Sequence, residues 1–291
     1  MPEIRLIGLD LDGTLLRKDN SVSDENISAL QECIKQNIQI YLISGRPYCF
    51  TRMIAEKIHP SVRVISSNGA IYEIGTKCIM HTIEPHVLYQ IIDVLKEHAH
   101  AHAFFKGKHE FFTHEPYDER FLYDHINNQL PAAVQVTSFT GMSWEELKHH
   151  AHDIAKILVY DMQTERLLKA RKQIECIENI TVTDYQPISF DITAGGVHKG
   201  NAIKAVLQSL HLKKEEFMAF GDAMNDLPMF AEAGLTVAMA NAAEEIQASC
   251  DIVTADYMDD GVAKAIQRYI YEKKGLHVQS LFLWFRNDSD D

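Results

Sequence analysis

The sequence predicts an α/β protein whose core is a Rossmann-like, mostly parallel sheet, with a second α/β domain inserted into it. Short apolar runs without polar alternation, such as 6–9 and 217–220, are typical of strands covered on both faces, and such strands belong to parallel sheets. Amphipathic helical patterns separate these runs along the chain. The middle third contains many histidines and lacks glycine-rich strand ends, which indicates a separate domain.

Composition and charge narrow the class of protein. The chain has 291 residues, 46% of them hydrophobic and 24% charged, which is ordinary for a globular protein of about two domains. The formal net charge of −13 argues against a nucleic-acid partner and against binding to anionic membranes. No long apolar stretch or leader is visible, and the five cysteines show no Cys-x-x-Cys spacing, so we expect a soluble cytoplasmic protein with reduced thiols.

The first core strand, predicted within 4–9, ends in Asp10, Asp12 and Gly13. Open α/β sheets bind their ligands at the carboxyl ends of strands, and glycine permits a sharp turn there. Two carboxylates two residues apart repel each other unless a cation, a donor or a shared proton compensates. The pair therefore indicates a metal site with acid/base capability, and a solvated acidic turn is the alternative reading of this stretch alone.

The next core elements lead to a second polar strand end. We expect a helix over 24–37 capped by Ser23, and then a buried strand over 38–43. That strand runs into Ser44 and Gly45, where a hydroxyl and the N–H groups of a new helix would form an anion cradle. Further along, 62–65 reads as a strand, 67–70 as a turn and 71–72 as its hairpin partner.

The inserted domain is predicted to span 84–195, between core segments 1–83 and 196–275. Its pattern indicates a helix after 84, strands near 103–105 and 110–113, and further helices and strands up to 188–191. Alternating histidines could ligate a transition metal, although a solvated strand edge is favoured for His98, His100 and His102. We interpret His149, His150 and His152 as surface residues.

The core then resumes with Lys199 at the start of a helix over 202–210. The buried strand 217–220 ends in Gly221 and Asp222, with Asn225 and Asp226 close behind. Two more short strands are predicted at 236–239 and 251–254. The tail, 276–291, combines an apolar run with an acidic end; an extra strand, an association surface and a packed segment all remain open for it.

The strand ends together predict a site that no one of them predicts alone. Asp10, Asp222 and Asp226 are hard oxygen ligands of the kind that Mg²⁺ prefers. Lys199 adds a fixed positive charge, and Ser44 with the Gly45 amide adds donors. An acidic metal site flanked by a lysine and a hydroxyl suits a phosphoryl group.

These residues resemble, in order and spacing, the four motifs of the haloacid dehalogenase superfamily. The motifs are Asp10-Leu11-Asp12-Gly13-Thr14-Leu15, Ser44 after an apolar strand, Lys199-Gly200, and Gly221-Asp222-x-x-Asn225-Asp226. The inserted domain is similar to the α/β type IIB cap of the Cof-type branch, and the resemblance covers the chain except its tail. One departure is Ala223, where many members have glycine; the polar residues of that motif are intact.

The resemblance implies a Mg²⁺-dependent phosphatase that forms an aspartyl-phosphate. Asp10 would be the nucleophile and Asp12 the acid/base. The family pattern implies that Mg²⁺ is held by the Asp10 and Asp222 carboxylates and the Asp12 carbonyl, with Asp226 a ligand or close behind. It places the substrate's phosphoryl group against residues that donate hydrogen bonds or charge, namely Leu11, Ser44, Gly45, Lys199 (also catalytic) and Asn225.

Several alternatives remain at this point. A phosphomutase or phosphotransferase would use the same nucleophile, and a regulator could keep the phosphate cradle without turnover; retention of both Asp10 and Asp12 speaks against the regulator. His198 could approach substrate, but a structural role is favoured. The expected partner is a small phosphorylated metabolite, such as a sugar phosphate, a nucleotide or a cofactor phosphate. The natural substrate and a homo-oligomeric state are left open.

Overall fold

The computed structural model describes residues 3–117, 127, 130, 132–186 and 188–271, so the predicted tail at 276–291 lies outside the described residues. The strands are β1 (Leu6–Leu9), β2 (Gln39–Ile43), β3 (Arg63–Ser66), β4 (Ile71–Ile74), β5 (Lys77–Met80), β6 (His102–Lys106), β7 (Glu110–Thr113), β8 (Thr137–Phe139), β9 (Lys156–Tyr160), β10 (Ile180–Gln186), β11 (Ser189–Ala194), β12 (Phe217–Gly221), β13 (Leu235–Ala238) and β14 (Ile252–Val253). The helices are α1 (Asp24–Lys35), α2 (Tyr48–Ile58), α3 (Pro85–Glu97), α4 (Trp144–His149), α5 (Thr164–Ile174), α6 (Lys199–Ser209), α7 (Leu227–Phe230), α8 (Glu244–Ala248) and α9 (Gly261–Ile266).

The core sheet has the order β14-β13-β12-β1-β2-β3-β4-β5. Its strands run parallel from β14 to β3, and β4 and β5 are added antiparallel. Helices α1, α2 and α9 cover one face, and α6, α7 and α8 cover the other. Burial on both faces explains why the central strands are uninterrupted apolar runs. The predicted fold class is confirmed.

Local signals placed several elements correctly. Helix α1 begins after Ser23, whose Oγ accepts a hydrogen bond from the Asn26 N–H at 3.2 Å, as the capping pattern predicted. Strand β5 was not predicted, because its residues are half-exposed and carry no clear alternation. It pairs with β4 as a hairpin at the edge of the sheet. No helix among the described residues is long and apolar enough to cross a membrane.

A second sheet, with the order β10-β11-β9-β6-β7-β8, is formed within 102–194. Alternation along β6 sends Ala103 and Phe105 to one face, where they pack against α3, α4 and α5. Lys106, on the opposite face, lies directly across from Lys156 of β9. This two-layer unit lies in the chain between β5 and α6, and we refer to it as the cap. The limits predicted for it, 84 and 195, stay a prediction.

The turn between β3 and β4 brings the two halves of the core together. Ser67 and Asn68 have left-handed backbones, with φ of 52° and 56°, and Gly69 follows at 101°. A Cβ at Gly69 would lie 2.6 Å from the carbonyl oxygen of His198, the residue before α6. The turn therefore packs directly on the backbone from which Lys199 projects.

This close approach predicts that Gly69→Ala destabilises the protein strongly. The new methyl group meets a backbone atom and also occupies a conformation that side chains disfavour, so we expect a loss of about 3 kcal/mol or more in the free energy of unfolding. Gly75→Ala is the matched control, because Gly75 also has a positive φ (59°) but nothing within 4 Å of its Cβ position. Its expected cost is about 1 kcal/mol. Equal losses in urea denaturation would contradict the packing argument.

Candidate active site

The predicted polar residues meet where the parallel core strands end. β1 pairs with both β12 and β2, so their carboxyl ends lie at one edge of the sheet. Asp10 follows β1, and its N–H donates to the Phe220 carbonyl at 3.0 Å. Asp222 follows β12, and Ser44 follows β2. The strand-end residues predicted from the sequence therefore lie at one edge of the sheet.

Three carboxylates and one ammonium form its centre. Carboxylate oxygens of Asp10, Asp222 and Asp226 lie within 4.8 Å of one another. Lys199, which is 1% exposed, donates to Asp10 Oδ1 at 2.5 Å and to Asp226 Oδ1 at 2.6 Å. With all four groups ionised, three negative charges face one positive charge, which leaves a net charge of −2. A divalent cation would balance this cluster, and its hard oxygen ligands suit Mg²⁺.

Within the described chain, no other group of three or more His, Cys, Asp or Glu side chains has this geometry. The alternating histidines of the cap accordingly form no such cluster. His98 contacts Gln173 through Nε2 at 2.9 Å, while His102 contacts Glu115 and stacks on Tyr160. The predicted strand edge is wrong for His98 and His102, because His98 caps the end of α3 and His102 lies in β6, an internal strand of the cap sheet.

Asp226 has a different environment from the other two carboxylates. Its Oδ1 accepts from Lys199, and its Oδ2 accepts from the backbone N–H groups of Asp222 (3.0 Å) and Ala223 (3.1 Å). A Cβ at Gly221 would lie 2.5 Å from Oδ2, so a glycine is required there. Because both oxygens of Asp226 already have donors, this carboxylate orients the loop and the lysine.

Burial is the main influence on the pKa values of these groups. It raises the pKa of Asp10 well above its usual range; the Lys199 ammonium opposes that rise, and the nearby carboxylates add to it. Burial, with the charge of Asp226, raises the pKa of Asp222 to about 6. For Lys199, burial disfavours the charged form, but Asp10 and Asp226 outweigh it and raise the pKa above the usual value. The lysine is thus held as a cation.

Two further side chains hold Asp222. Thr14 Oγ1 donates to Asp222 Oδ1 at 3.1 Å. Asn241 Nδ2 donates to the Gly13 carbonyl at 2.9 Å and lies 3.4 Å from Asp222 Oδ2. Asn241 was missed by the sequence analysis. It follows β13 at the same edge of the sheet, so the strand-end argument that identified the other residues would also have found it.

Asp12 lies outside the buried cluster and contacts Arg46. The guanidinium binds both carboxylate oxygens, with Nε to Oδ2 at 2.8 Å and Nη2 to Oδ1 at 2.5 Å, and it also donates to Asn20 Oδ1. The Asp12 side chain is 47% exposed. Such a two-point contact fixes the orientation of a carboxylate. The sequence analysis assigned no role to Arg46. Its position directly after Ser44 and Gly45, at the same strand end, could have identified it as a residue of the site.

The remaining predicted residues lie near the cluster. The Leu11 carbonyl accepts from Leu15 and Leu16 and so closes the turn after β1. Asn225 is half-buried in the short turn Met224–Asp226. His198 caps α6, its Nδ1 accepting from the Asn201 N–H at 3.2 Å, and burial lowers its pKa, which suits a neutral acceptor. This contact supports the structural interpretation of His198.

Ser44 is buried, and its Oγ accepts a hydrogen bond from the Arg46 N–H at 3.1 Å. Because that contact uses the oxygen as an acceptor, the hydroxyl proton can be donated elsewhere. The Ser44 side chain and the N–H of Gly45 lie at the strand end next to Asp10, where β1 and β2 are paired. Because the motif resemblance implies that Ser44 and Gly45 contact the phosphoryl group of the substrate, we name residues 44–46 the phosphate loop.

Comparison with known proteins places this site in a family. A family model described as haloacid dehalogenase-like hydrolase matches residues 7–266. The 5-amino-6-(5-phospho-D-ribitylamino)uracil phosphatase YcsE of Bacillus subtilis is 27% identical over 273 residues, covering 92% of this chain and 96% of the relative. A crystal structure of TM0651 from Thermotoga maritima is 28% identical, with a TM-score of 0.76 over 91% of this chain and 97% of the other.

The cap also has a structural counterpart. The HAD subclass IIB sugar phosphatase BT4131 shares the fold, with a TM-score of 0.74 over 91% of this chain and 98% of that one, at 22% identity. The likeness supports the predicted type of cap, and the relatives named as phosphatases agree with the predicted class of enzyme, a phosphoric monoester hydrolase. Because the family model spans most of its length, the chain belongs to the haloacid dehalogenase-like hydrolases, as its four motifs predicted.

Proposed function

We propose that this protein is a Mg²⁺-dependent phosphatase that hydrolyses small phosphorylated metabolites through a phosphoryl group carried on Asp10. The observation that carries the proposal is the buried cluster of Asp10, Asp222 and Asp226 around Lys199, at a strand edge that it shares with Ser44. Such a cluster offers a nucleophile, a site for a cation and a fixed positive charge within a few ångströms. A sheet edge built only for stability has no use for this arrangement.

The donor set fits a divalent cation. Asp10 and Asp222 would hold Mg²⁺ together with the Asp12 carbonyl, and Asp226, whose oxygens already accept hydrogen bonds, would hold Lys199 and the loop after β12. When bound, Mg²⁺ supplies positive charge that stabilises the transferring phosphoryl group. When all four groups of the cluster are ionised, their net charge of −2 supports the assignment of a divalent cation to this site.

Each side chain of the site has its own role in the proposed reaction. Asp10 would attack phosphorus, and Lys199, which donates to Asp10 Oδ1, would hold this carboxylate in place. Asp12 would protonate the leaving oxygen, and it would later take a proton from the water that hydrolyses the intermediate. Arg46 orients Asp12 by its two-point contact. The Ser44 hydroxyl, the Gly45 N–H, Lys199 and Asn225 would bind the phosphoryl oxygens.

Hydrolysis is favoured over the alternatives by two features. A regulator that only binds phosphate needs neither Asp10 nor a second carboxylate held in orientation by Arg46. A phosphotransferase would use the same groups, but YcsE and BT4131 are both named phosphatases. YcsE is named for a phosphorylated ribitylaminouracil, and BT4131 for sugar phosphates. We extend to this chain only what these share, a small phosphorylated metabolite; a cytoplasmic location stays a prediction.

The first test is hydrolysis of an aryl phosphate with and without Mg²⁺. We expect turnover that requires the cation and is eliminated by Asp10→Asn, because the amide cannot attack phosphorus. Asp19→Asn, an exposed aspartate in the same loop region, serves as the control and should keep full activity. Release of phosphate in the presence of chelator, or by the Asp10→Asn protein, would refute the mechanism.

Ser44→Ala tests the phosphate loop. Removing one preorganised donor to a charged transition state should lower kcat by about a hundredfold or more while the protein stays folded. Steady-state kinetics give the change in kcat, and circular dichroism reports the fold. A kcat within a factor of two of the wild type would show that the Ser44 hydroxyl does not contact the phosphoryl group.

Asp222→Asn tests the cation site through stability. In chelator, the folded protein binds a proton at Asp222 more tightly than the unfolded chain does, so wild-type stability should fall as the pH rises from about 4 to about 6. The variant lacks this fall. We expect it to gain about 1–2 kcal/mol over the wild type between pH 4 and pH 7, a value reduced for the partial exposure of the group.

Urea denaturation at these pH values measures that difference. Adding Mg²⁺ at pH 7 should stabilise the wild type and stabilise the variant much less, since ligand binding to the folded state adds to its stability. An equal response of the two proteins to Mg²⁺ would argue against a cation bound by Asp222, and parallel pH profiles in chelator would argue against the raised pKa of this carboxyl group.

A further inference from the structure

We propose that Lys156 and Asp191, two residues of the cap, position the phosphate loop of the core through its backbone. The inference rests on the function proposed above and adds to it two residues that lie on neither β1 nor β12. They would orient the Ser44 hydroxyl and the Gly45 N–H, which are proposed to donate hydrogen bonds to the phosphoryl group, without touching the substrate themselves. They are therefore positioning residues.

Lys156 reaches from the cap into the core. Its Nζ donates to the Gly45 carbonyl at 2.6 Å and to Asp191 Oδ2 at 2.8 Å. Lys156 is 3% exposed and Asp191 1%, so this ion pair is almost entirely removed from water. A buried ion pair contributes little net stability compared with apolar residues of similar size, and its presence between two domains points to a different role.

The first effect of this contact is on Ser44. The Gly45–Arg46 peptide is planar, and its carbonyl and N–H point in opposite directions. Lys156 holds the carbonyl, and the N–H on the other side donates to Ser44 Oγ at 3.1 Å. Because Oγ accepts from the backbone there, its hydroxyl proton stays available to another group, which we propose is a phosphoryl oxygen. The cap lysine thereby makes Ser44 a donor.

The second effect is on the Gly45 N–H. The Ser44 carbonyl accepts from the Asn68 N–H at 3.1 Å, so the N–H at the other end of that peptide, from Gly45, points away from Asn68. Asn68 Nδ2 donates at 3.0 Å to Asp191 Oδ2, the same oxygen that Lys156 contacts. Asp191 therefore binds both Lys156 and Asn68, the two residues that orient the Ser44 hydroxyl and the Gly45 N–H.

The arrangement is retained at a cost to the fold. Asn68 and its neighbour Ser67 both have left-handed backbones. Asn68 Oδ1 and Asp191 Oδ1 are buried, with no hydrogen-bond partner in the described structure. A Cβ at Gly45 would lie 2.8 Å from Asn68 Oδ1, so the loop fits against Asn68 only as glycine. Strain and unsatisfied polar atoms of this kind concentrate at functional sites.

The test is the kinetic effect of Lys156→Met with Lys106→Met as its matched control. Lys106 lies directly opposite Lys156 on the same face of the cap and interacts with Lys156 and Asp191 through charge, but its side chain makes no hydrogen bond or ion pair with the described residues. We expect Lys156→Met to lower kcat on an aryl phosphate by about ten- to a hundredfold, the scale of a misplaced catalytic group. Lys106→Met should change it by less than a factor of about three. Equal losses would indicate a general charge effect and overturn the proposal.

A double-mutant cycle with Ser44→Ala separates positioning from a merely structural role. If Lys156 acts largely through Ser44, Ser44→Ala/Lys156→Met should be at most about threefold slower than Ser44→Ala alone, because the group it positions is already gone. Multiplication of the two single effects would refute this relay. Lys156→Arg, which keeps the donor and the charge, should recover part of the lost kcat.

Two further measurements keep the outcome decisive. Lys156→Met leaves Asp191 buried without its cation and could unfold the cap, so Lys156→Met/Asp191→Leu, which removes both charges, is made alongside. This double variant should fold, and its kcat should be reduced by about ten- to a hundredfold, as in Lys156→Met. A wild-type kcat in the folded double variant would overturn the proposal. Binding of inorganic phosphate by calorimetry should weaken in Lys156→Met as in Ser44→Ala. If the wild type bound phosphate without hydrolysing any ester, the proposed function would fail while this relay was still tested.

Discussion

The buried cluster of carboxylates around Lys199 is the constraint on which the rest of this structure depends. Like charges in a poorly solvated site repel strongly, and one ammonium cannot neutralise three carboxylates. The surrounding structure compensates in part. Two backbone N–H groups point at Asp226, and Thr14 and Asn241 contact Asp222. The deficit that remains is the physical reason for expecting a divalent cation.

The turn between β3 and β4 connects this cluster to the phosphate loop. On one side, Gly69 lies against the His198 carbonyl, so the turn supports the start of α6 and with it Lys199. On the other side, Asn68 holds the Ser44 carbonyl and contacts Asp191. One turn of three residues with left-handed backbones thus contacts both His198, the residue before Lys199, and the loop that would bind the phosphoryl oxygens. Its left-handed backbone is what permits both contacts.

The cap is joined to the core by polar contacts as well as apolar ones. One face of its sheet packs on α3, α4 and α5, while Lys156 and Asp191 approach residues of the core from the other. We infer from these contacts that the cap also positions residues 44–46, through the hydrogen bond from Lys156 to the Gly45 carbonyl. Arg46 extends the same loop to Asp12, so the carboxylate proposed as the acid/base, the groups proposed to bind the phosphoryl oxygens and the cap are connected through residues 44–46.

The sequence by itself determined the fold class, the family and the strand-end residues of the site. Runs such as 6–9 and 217–220 are recognisable because burial on both faces demands continuous apolar residues, and parallel pairing then brings Asp10, Ser44 and Asp222 to one edge. This reasoning is general, so it needed no knowledge of long-range contacts. The four motifs are also present in the sequence, and the family resemblance rests on their similarity to those of known proteins.

Only the tertiary structure decided how those residues are held. Arg46 on Asp12, Asn241 beside Asp222 and Lys156 on the Gly45 carbonyl join parts of the chain that no periodic pattern relates, and each contact depends on how separate elements pack. The position of Asp226 behind Lys199 has the same origin, since its spacing from Asp222 suits a metal ligand as well as a supporting group. Local sequence patterns specify strands, helices and turns. The partner of a buried charge depends instead on how elements that are distant in the sequence pack together.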